Sequence, residues 1–143
     1  MKKLLPLIVI LVVGYYGYQQ SVEPIQKPDR AGSVDAPLLD AFERRASGIQ
    51  VAGAGHVSRI LPDDNDGSRH QRFILELPSG QTVLVAHNID VAARITGLRE
   101  KDQVRFYGEY EWNSQGGVIH WTHHDPRGNH EDGWIEHQGT RYE

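Results

Sequence analysis

The segment HWTHHD, residues 120–125, places three histidines within five positions. Two further histidines, His70 and His87, stand in segments whose alternating polarity is typical of strands. Imidazole nitrogens bind divalent transition metals, transfer protons near neutral pH, or hydrogen-bond to backbone groups. Which chemistry is open to this chain depends on whether its folding brings these histidines together.

The elements that would position them follow from the hydrophobic period, which is two from residue 50 onward. Pro78, Ser79 and Gly80 form a three-residue hairpin loop, and residues 114–117 form a second hairpin loop. The pattern predicts five strands at residues 50–60, 70–77, 81–87, 104–113 and 118–124.

Three strands, a short helical connection ending at Gly97, and a two-stranded hairpin is the element order of an OB-fold. We therefore predict a mainly β domain: a small five-stranded OB-like Greek-key barrel with one or two short helices. Before it, DAPLLDAFERRASG predicts a helix with Asp35 as N-cap and Gly48 closing its end. A small β-sandwich or another barrel would give similar strands.

The N-terminus predicts export. Two lysines precede an apolar run in residues 1–18, and the run ends in tyrosines rather than the small residues of a cleavage site. We expect an apolar helix anchoring the chain in the inner membrane of a bacterial envelope and facing the periplasm, or a periplasmic protein if the leader is cleaved. Residues 19–34 predict a linker, and residues 35–143 the barrel domain.

The net charge and the cysteine count exclude some classes of partner and of metal site. The formal net charge of −4 argues against nucleic acid as a partner, since nonspecific phosphate binding needs basic surface. The sequence has no cysteine, so disulfides and thiolate metal sites are excluded. It identifies no protein partner.

Strand pairing predicts that the histidines converge. A turn at residues 78–80 pairs Phe73 with Val85 and Gln71 with His87, so His70 lies near His87. In an OB-fold the third and fifth strands are parallel, so His123 joins the same barrel end. This hypothesis makes His70, His87 and His123 ligands of zinc or another divalent transition metal. Four further residues could bind a ligand or orient these imidazoles: Asn88, Asp90, His124 and Asp125.

The orientation of His123 depends on the last hairpin. A four-residue loop at 114–117 pairs Trp112 with Ile119 and Tyr110 with Trp121, which turns His123 inward opposite Gly108. A five-residue loop would turn His120 and His124 inward instead. We favour the first, because it places apolar residues together.

The motifs GxGxV, HQRFIL, HNID, FYGEYEWN, GGVIHWTHHDP and GWI resemble a family of small exported bacterial proteins of unknown function marked by an HWTH motif. The resemblance implies a shared fold and an envelope location, and it brings no established activity.

Three functions stay open at this point. The histidine-lined barrel mouth could belong to an envelope binding module for a divalent metal or a small ligand. It could be a metal-dependent hydrolase, for example of phosphodiesters, with Asp90 or Asp125 as base. The histidines could also close the barrel end in a structural or interaction domain without metal.

Overall fold

A computed structural model describes residues 35–143 of the chain. The expected anchor at residues 1–18 and the linker at 19–34 lie outside the described residues. Within the described part, no helix is both long and apolar enough to cross a membrane.

The domain begins with helix α1 (Ala36–Glu43). Asp35 is the N-cap by position, but its side chain accepts a hydrogen bond from the Ser79 backbone N–H (3.0 Å) instead of capping the helix. Leu38 is fully buried against the barrel. The helix ends at Glu43, with Arg44 as C-cap, so the prediction that Gly48 closes it was wrong. Gly48 instead donates its N–H to the Tyr110 carbonyl, which joins the chain to the sheet.

Within residues 35–143 the chain then forms seven strands. They are β1 (Ile49–Ile60), β2 (His70–Glu76), β3 (Thr82–Asn88), β4 (Gln103–Glu111), β5 (Val118–His120), β6 (Trp134–His137) and β7 (Thr140–Tyr142). Buried and exposed residues alternate along β2, β3 and β4, as the period-two pattern predicts.

Five of these strands close a barrel in the order β1-β2-β3-β5-β4, with β1 also paired to β4. The twelve-residue β1 makes closure possible, because its first part pairs with β4 and its second part with β2, with a register shift between Val57 and Arg59. β3 and β5 are parallel. The mainly β five-stranded barrel with a short helix is confirmed. Its fully buried core includes Phe73, Val85, Phe106, Tyr110 and Ile119.

The two hairpin registers had different outcomes. For β2–β3, the predicted pairs Phe73 with Val85 and Gln71 with His87 are confirmed. For β4–β5, Tyr110 pairs with Ile119 rather than with Trp121, so the predicted register was wrong by two residues. The cause is Asn113, whose side-chain oxygen accepts the N–H groups of Gln115 and Gly117 and moves the turn one residue earlier. A shift of two keeps the same residues inward.

Two further differences concern the connections. The segment after β3 makes no helix but a single helical turn, closed by the Ala92 N–H on the Asn88 carbonyl, so of the short helix or helical turn expected for this connection the structure shows the turn. The C-terminal tail forms the β6–β7 hairpin, which adds to the sheet at β4 beyond the barrel. Ile135 of β6 is fully buried in the core.

Candidate metal site and the adjoining histidine-lined cavity

A glutamate–histidine group lies on the outer face of the β4–β5 pair. Glu109 and Glu111 are two residues apart on β4 and so share a face, and His120 at the end of β5 is the cross-strand partner of Glu109. The Nε2 atom of His120 lies 3.4 Å from Oε1 of Glu109 and 3.7 Å from Oε1 of Glu111. One donor atom from each residue lies within 4.8 Å of the others, so the group could hold a metal ion.

His120 contributes a ring nitrogen to this group that no hydrogen bond satisfies within residues 35–143. Its Nε2 atom is buried and has no hydrogen-bond partner among residues 35–143. Buried polar nitrogens are nearly always hydrogen-bonded, because leaving one unpaired costs about 1–3 kcal/mol. A cation held between this ring nitrogen and the two carboxylate oxygens would satisfy it, as would a proton shared with one of them.

His130 fixes the second oxygen of Glu109. Its Nε2 contacts Glu109 Oε2, and its Nδ1 donates to the Glu131 carbonyl at 2.7 Å. Because a carbonyl only accepts, a contact with ionised Glu109 requires protons on both ring nitrogens of His130. The pKa directions agree: burial opposes the charge of His130, but its hydrogen bonds to Glu109 and Glu131 outweigh burial and raise the pKa.

Glu109 is correspondingly held in its anionic form. Burial works to raise its pKa, but the hydrogen bonds to His130 and Glu111 outweigh that effect, and the pKa of Glu109 is lowered. His130 and Glu109 therefore form an imidazolium–carboxylate pair that directs the remaining oxygen of Glu109 toward His120.

Trp121 connects this group to the loop that follows β5. Its ring stacks on His130 with centroids 4.1 Å apart, and lies 5.2 Å from the ring of His123. Its backbone has φ of 53°, a left-handed conformation that costs a non-glycine residue about 1–2 kcal/mol. Gly133 packs against this segment so closely that a Cβ there would lie 2.0 Å from the Trp121 carbonyl oxygen. The close packing at Gly133 and the ring contacts with His130 and His123 hold Trp121 in this strained conformation between the two histidines.

A cavity of about 410 Å³ adjoins the group at the barrel end where β2 begins and β3 and β5 end. His120 is a member of the glutamate–histidine group and also lines the cavity. The lining also brings together four of the residues predicted from sequence, namely His70, Asn88, His123 and Asp125.

His70 and His123 present the same ring atom. Nδ1 of His70 donates to the Ser68 carbonyl at 2.7 Å, and Nδ1 of His123 donates to the His124 carbonyl at 2.6 Å. Since carbonyls only accept, the proton of each neutral ring is on Nδ1. Within the described chain, the Nε2 atoms of both histidines make no hydrogen bond.

His87 has a different role from the one predicted. It is fully buried, its Nε2–H donates to the Ala93 carbonyl at 3.0 Å, and its Nδ1 accepts from the Thr122 hydroxyl at 2.8 Å. Burial lowers the pKa of His87, and the neighbouring His123 and His70 add to that effect. With both ring nitrogens occupied, His87 is not available to a metal; it ties β3 to the segment after β5.

The predicted orienting carboxylates also have other partners. Asp90 accepts from the backbone N–H of Arg69 at 2.8 Å and from its Nε at 2.7 Å, and these hydrogen bonds lower the pKa of Asp90. Asp125 accepts three backbone N–H groups from the turn that follows it. Neither Asp90 nor Asp125 accepts an imidazole N–H within residues 35–143, so that expectation was wrong: both oxygens of each carboxylate accept hydrogen bonds from other groups.

His124 lies on the solvent side of the same loop. Its Nδ1 is 2.9 Å from Asp132, and this hydrogen bond raises the pKa of His124. His124 does not line the cavity.

The sequence interpretation missed Glu109, Glu111, His120 and His130 as site residues. Alternating glutamates on an outer strand face are also typical of a solvated surface. A signal was present nonetheless, because the predicted hairpin already placed His120 on the face of Glu109 and Glu111.

The fold and the site together define a small β-barrel domain with a glutamate–histidine group able to hold a metal ion. The chain belongs to the family described as Protein of unknown function (DUF3465), whose profile matches residues 26–143. Among curated proteins, none matches this chain.

Proposed function

We propose that this protein is a divalent-metal-binding module of the bacterial cell envelope, with Glu109, Glu111 and His120 as the metal ligands. The observation that carries the proposal is the buried Nε2 of His120, which lies 3.4 and 3.7 Å from two carboxylates and has no hydrogen-bond partner within residues 35–143. A set of two carboxylates and one imidazole suits zinc or another divalent first-row metal, and the absence of cysteine removes the thiolate ligands that favour Cu(I).

Electrostatics support the same assignment. Carboxylate oxygens of Glu109 and Glu111 lie within 4.8 Å of each other, and two like charges so close are stabilised by a proton or a cation between them. The site is partly open, with the Glu111 side chain 43% exposed. An ion held there would keep positions for water or an external ligand.

A hydrolase is the second candidate, favoured by the cavity that shares His120 with the metal ligands. The bases first expected for it are less suited to that role, because Asp90 accepts hydrogen bonds from Arg69 and Asp125 from the turn that follows it, and these bonds lower the pKa of both carboxyls. Binding is therefore the function that the geometry supports best.

Titration calorimetry of Zn²⁺ and Mn²⁺ into the untagged, full-length chain tests the proposal. We expect one ion per chain, and a loss of about 100-fold in affinity for Glu111→Gln or His120→Gln, because four-ligand zinc sites bind with about 10–16 kcal/mol, or roughly 3 kcal/mol per ligand. Binding should weaken on acidification, since the ligands must be deprotonated.

Matched controls come from the surface of the same barrel. Glu76 and His56 are exposed strand residues, so Glu76→Gln and His56→Gln should leave the affinity unchanged. Wild type that binds no metal above background would favour a structural or interaction domain without metal. Equal losses in the site and control variants would locate the ion elsewhere.

The envelope location is supported by the lysines and apolar run of residues 1–18. We expect the native protein to fractionate with the inner membrane, and intact-mass analysis to find residues 1–18 still attached. A soluble form beginning near Gln19 would instead make it a periplasmic protein. Recovery in the cytosol with the N-terminus intact would contradict both.

A further inference from the structure

The cavity at the barrel end contains nitrogen donors that the proposed metal site does not use. His70 and His123 line it with Nε2 atoms that have no hydrogen-bond partner within residues 35–143. Arg127 lines it as well, and no carboxylate pairs with its guanidinium in the described chain. By contrast, Arg69 beside the same barrel end is paired with Asp90.

The turn after β5 places Arg127 at this rim. Asp125 accepts the backbone N–H groups of Arg127, Asn129 and His130 at 2.7–3.0 Å, and Gly128 donates to the Asp125 carbonyl. These contacts direct both carboxylate oxygens of Asp125 into its own turn, and the backbone hydrogen bonds lower the pKa of Asp125. Among the described residues that line the cavity, the one carboxylate, that of Asp125, is thus turned into its own loop, while the Arg127 guanidinium has no carboxylate partner within residues 35–143.

The remaining wall is apolar. Trp121, Val91 and Pro126 line it beside the polar groups, and a cavity of about 410 Å³ is much larger than one oxyanion needs. The cavity therefore has nitrogen donors in one part and an aromatic and aliphatic wall in another. This combination suits a small molecule with an anionic group and an organic body.

We infer that this cavity binds a small phosphate monoester, its phosphoryl oxygens held by the Arg127 guanidinium and by the imidazoles of His70 and His123. Arginine recognises phosphate with directed, charge-assisted hydrogen bonds, and a protonated imidazole whose Nδ1–H is already bound to a carbonyl donates through Nε2. The organic part lies against Trp121. The assignment does not depend on the metal bound at Glu109, Glu111 and His120.

A second metal ion is the competing occupant, since the same Nε2 atoms carry lone pairs in neutral rings. Metal sites need three or more donors at close range, and in residues 35–143 the one such group is Glu109, Glu111 and His120. Neither His70 nor His123 belongs to it. The unpaired Arg127 also disfavours a cation at this place.

The test is a titration of inorganic phosphate and of phenyl phosphate into the full-length, untagged chain in EDTA, at mildly acidic pH and constant ionic strength. Binding is followed by the NMR shifts of the histidine ring protons. We expect saturable binding, with phenyl phosphate tighter than inorganic phosphate because of the apolar wall. Arg127→Gln should weaken both by about tenfold or more, the loss typical for a hydrogen bond to a charged group.

Arg59→Gln is the control, because Arg59 is exposed on β1 and does not line the cavity. Glu111→Gln should leave phosphate binding unchanged and Arg127→Gln should leave Zn²⁺ binding unchanged, so the two proposals can be rejected independently of each other.

The phosphate site would be overturned by any of three results: no saturable binding at millimolar concentrations, equal affinity in Arg127→Gln, or binding that requires added Zn²⁺. Equal affinity for the two probes would overturn the role of Trp121. Zn²⁺ binding lost on His70→Gln would assign the cavity to a metal.

Discussion

Replacing Gly108 with valine is expected to lower the free energy of unfolding by about 3 kcal/mol, near the upper end for overpacking a core. Gly108 faces inward on β4, and a Cβ there would lie 2.6 Å from the His120 carbonyl oxygen and 2.9 Å from the Thr122 methyl group. Valine adds two further methyl groups to this contact. Because β5 must move away to admit them, Zn²⁺ binding through His120 should weaken in the same variant.

Urea denaturation of wild type and Gly108→Val measures the effect. Gln103 is exposed on the same strand, so Gln103→Ala should change stability by no more than about 0.5 kcal/mol. If the two variants are equally stable, β5 does not pack on Gly108 as described.

Replacing His87 with leucine is expected to cost about 2–4 kcal/mol. Leucine has a similar volume, so the cost arises from the Ala93 carbonyl and the Thr122 hydroxyl, which would be left buried without their partner. His56→Leu, at an exposed position of β1, is the matched control and should be nearly neutral.

The pH dependence of this difference has a definite sign. Burial lowers the pKa of His87 in the folded protein, so the unfolded chain binds its proton first as pH falls. The stabilisation by His87 is thus complete above about pH 6.5, the ordinary histidine value, and is lost as pH falls toward the lowered pKa. The stability gap between wild type and His87→Leu should narrow on acidification. A gap that widens there would mean that His87 is charged in the fold.

The β2–β3 hairpin could be predicted residue by residue because its register is set locally. Gly80 has φ of 84° and donates to the Leu77 carbonyl, so the three-residue loop alone fixes which residues face each other. The β4–β5 register could not, because it depends on which backbone groups the Asn113 side chain accepts. Both hairpins nonetheless kept their inward faces, since burial of alternate residues forbids a slip of one.

Some parts of the candidate site could likewise be predicted from the sequence, and others could not. The meeting of His70 and His123 followed from strand pairing and a parallel β3–β5 pair, both of which pattern can indicate. Glu109 and Glu111 were missed because alternating charges on an outer strand face are also what a solvated surface shows. The partners of Asp90 and Asp125 depend on the paths of loops, which hydrophobic period does not encode.

The β6–β7 hairpin forms one edge of the sheet among the described strands, and this edge determines whether another chain could pair with it. Within residues 35–143, β7 is the last strand of the sheet order, so its outer backbone groups form an unpaired edge only three residues long. Charged Arg141 and Glu143 lie on or beside it, and Arg141 covers the Trp134 ring at 4.3 Å. So short and charged a boundary offers little for another chain to extend, and this protects copies crowded together from joining sheet to sheet.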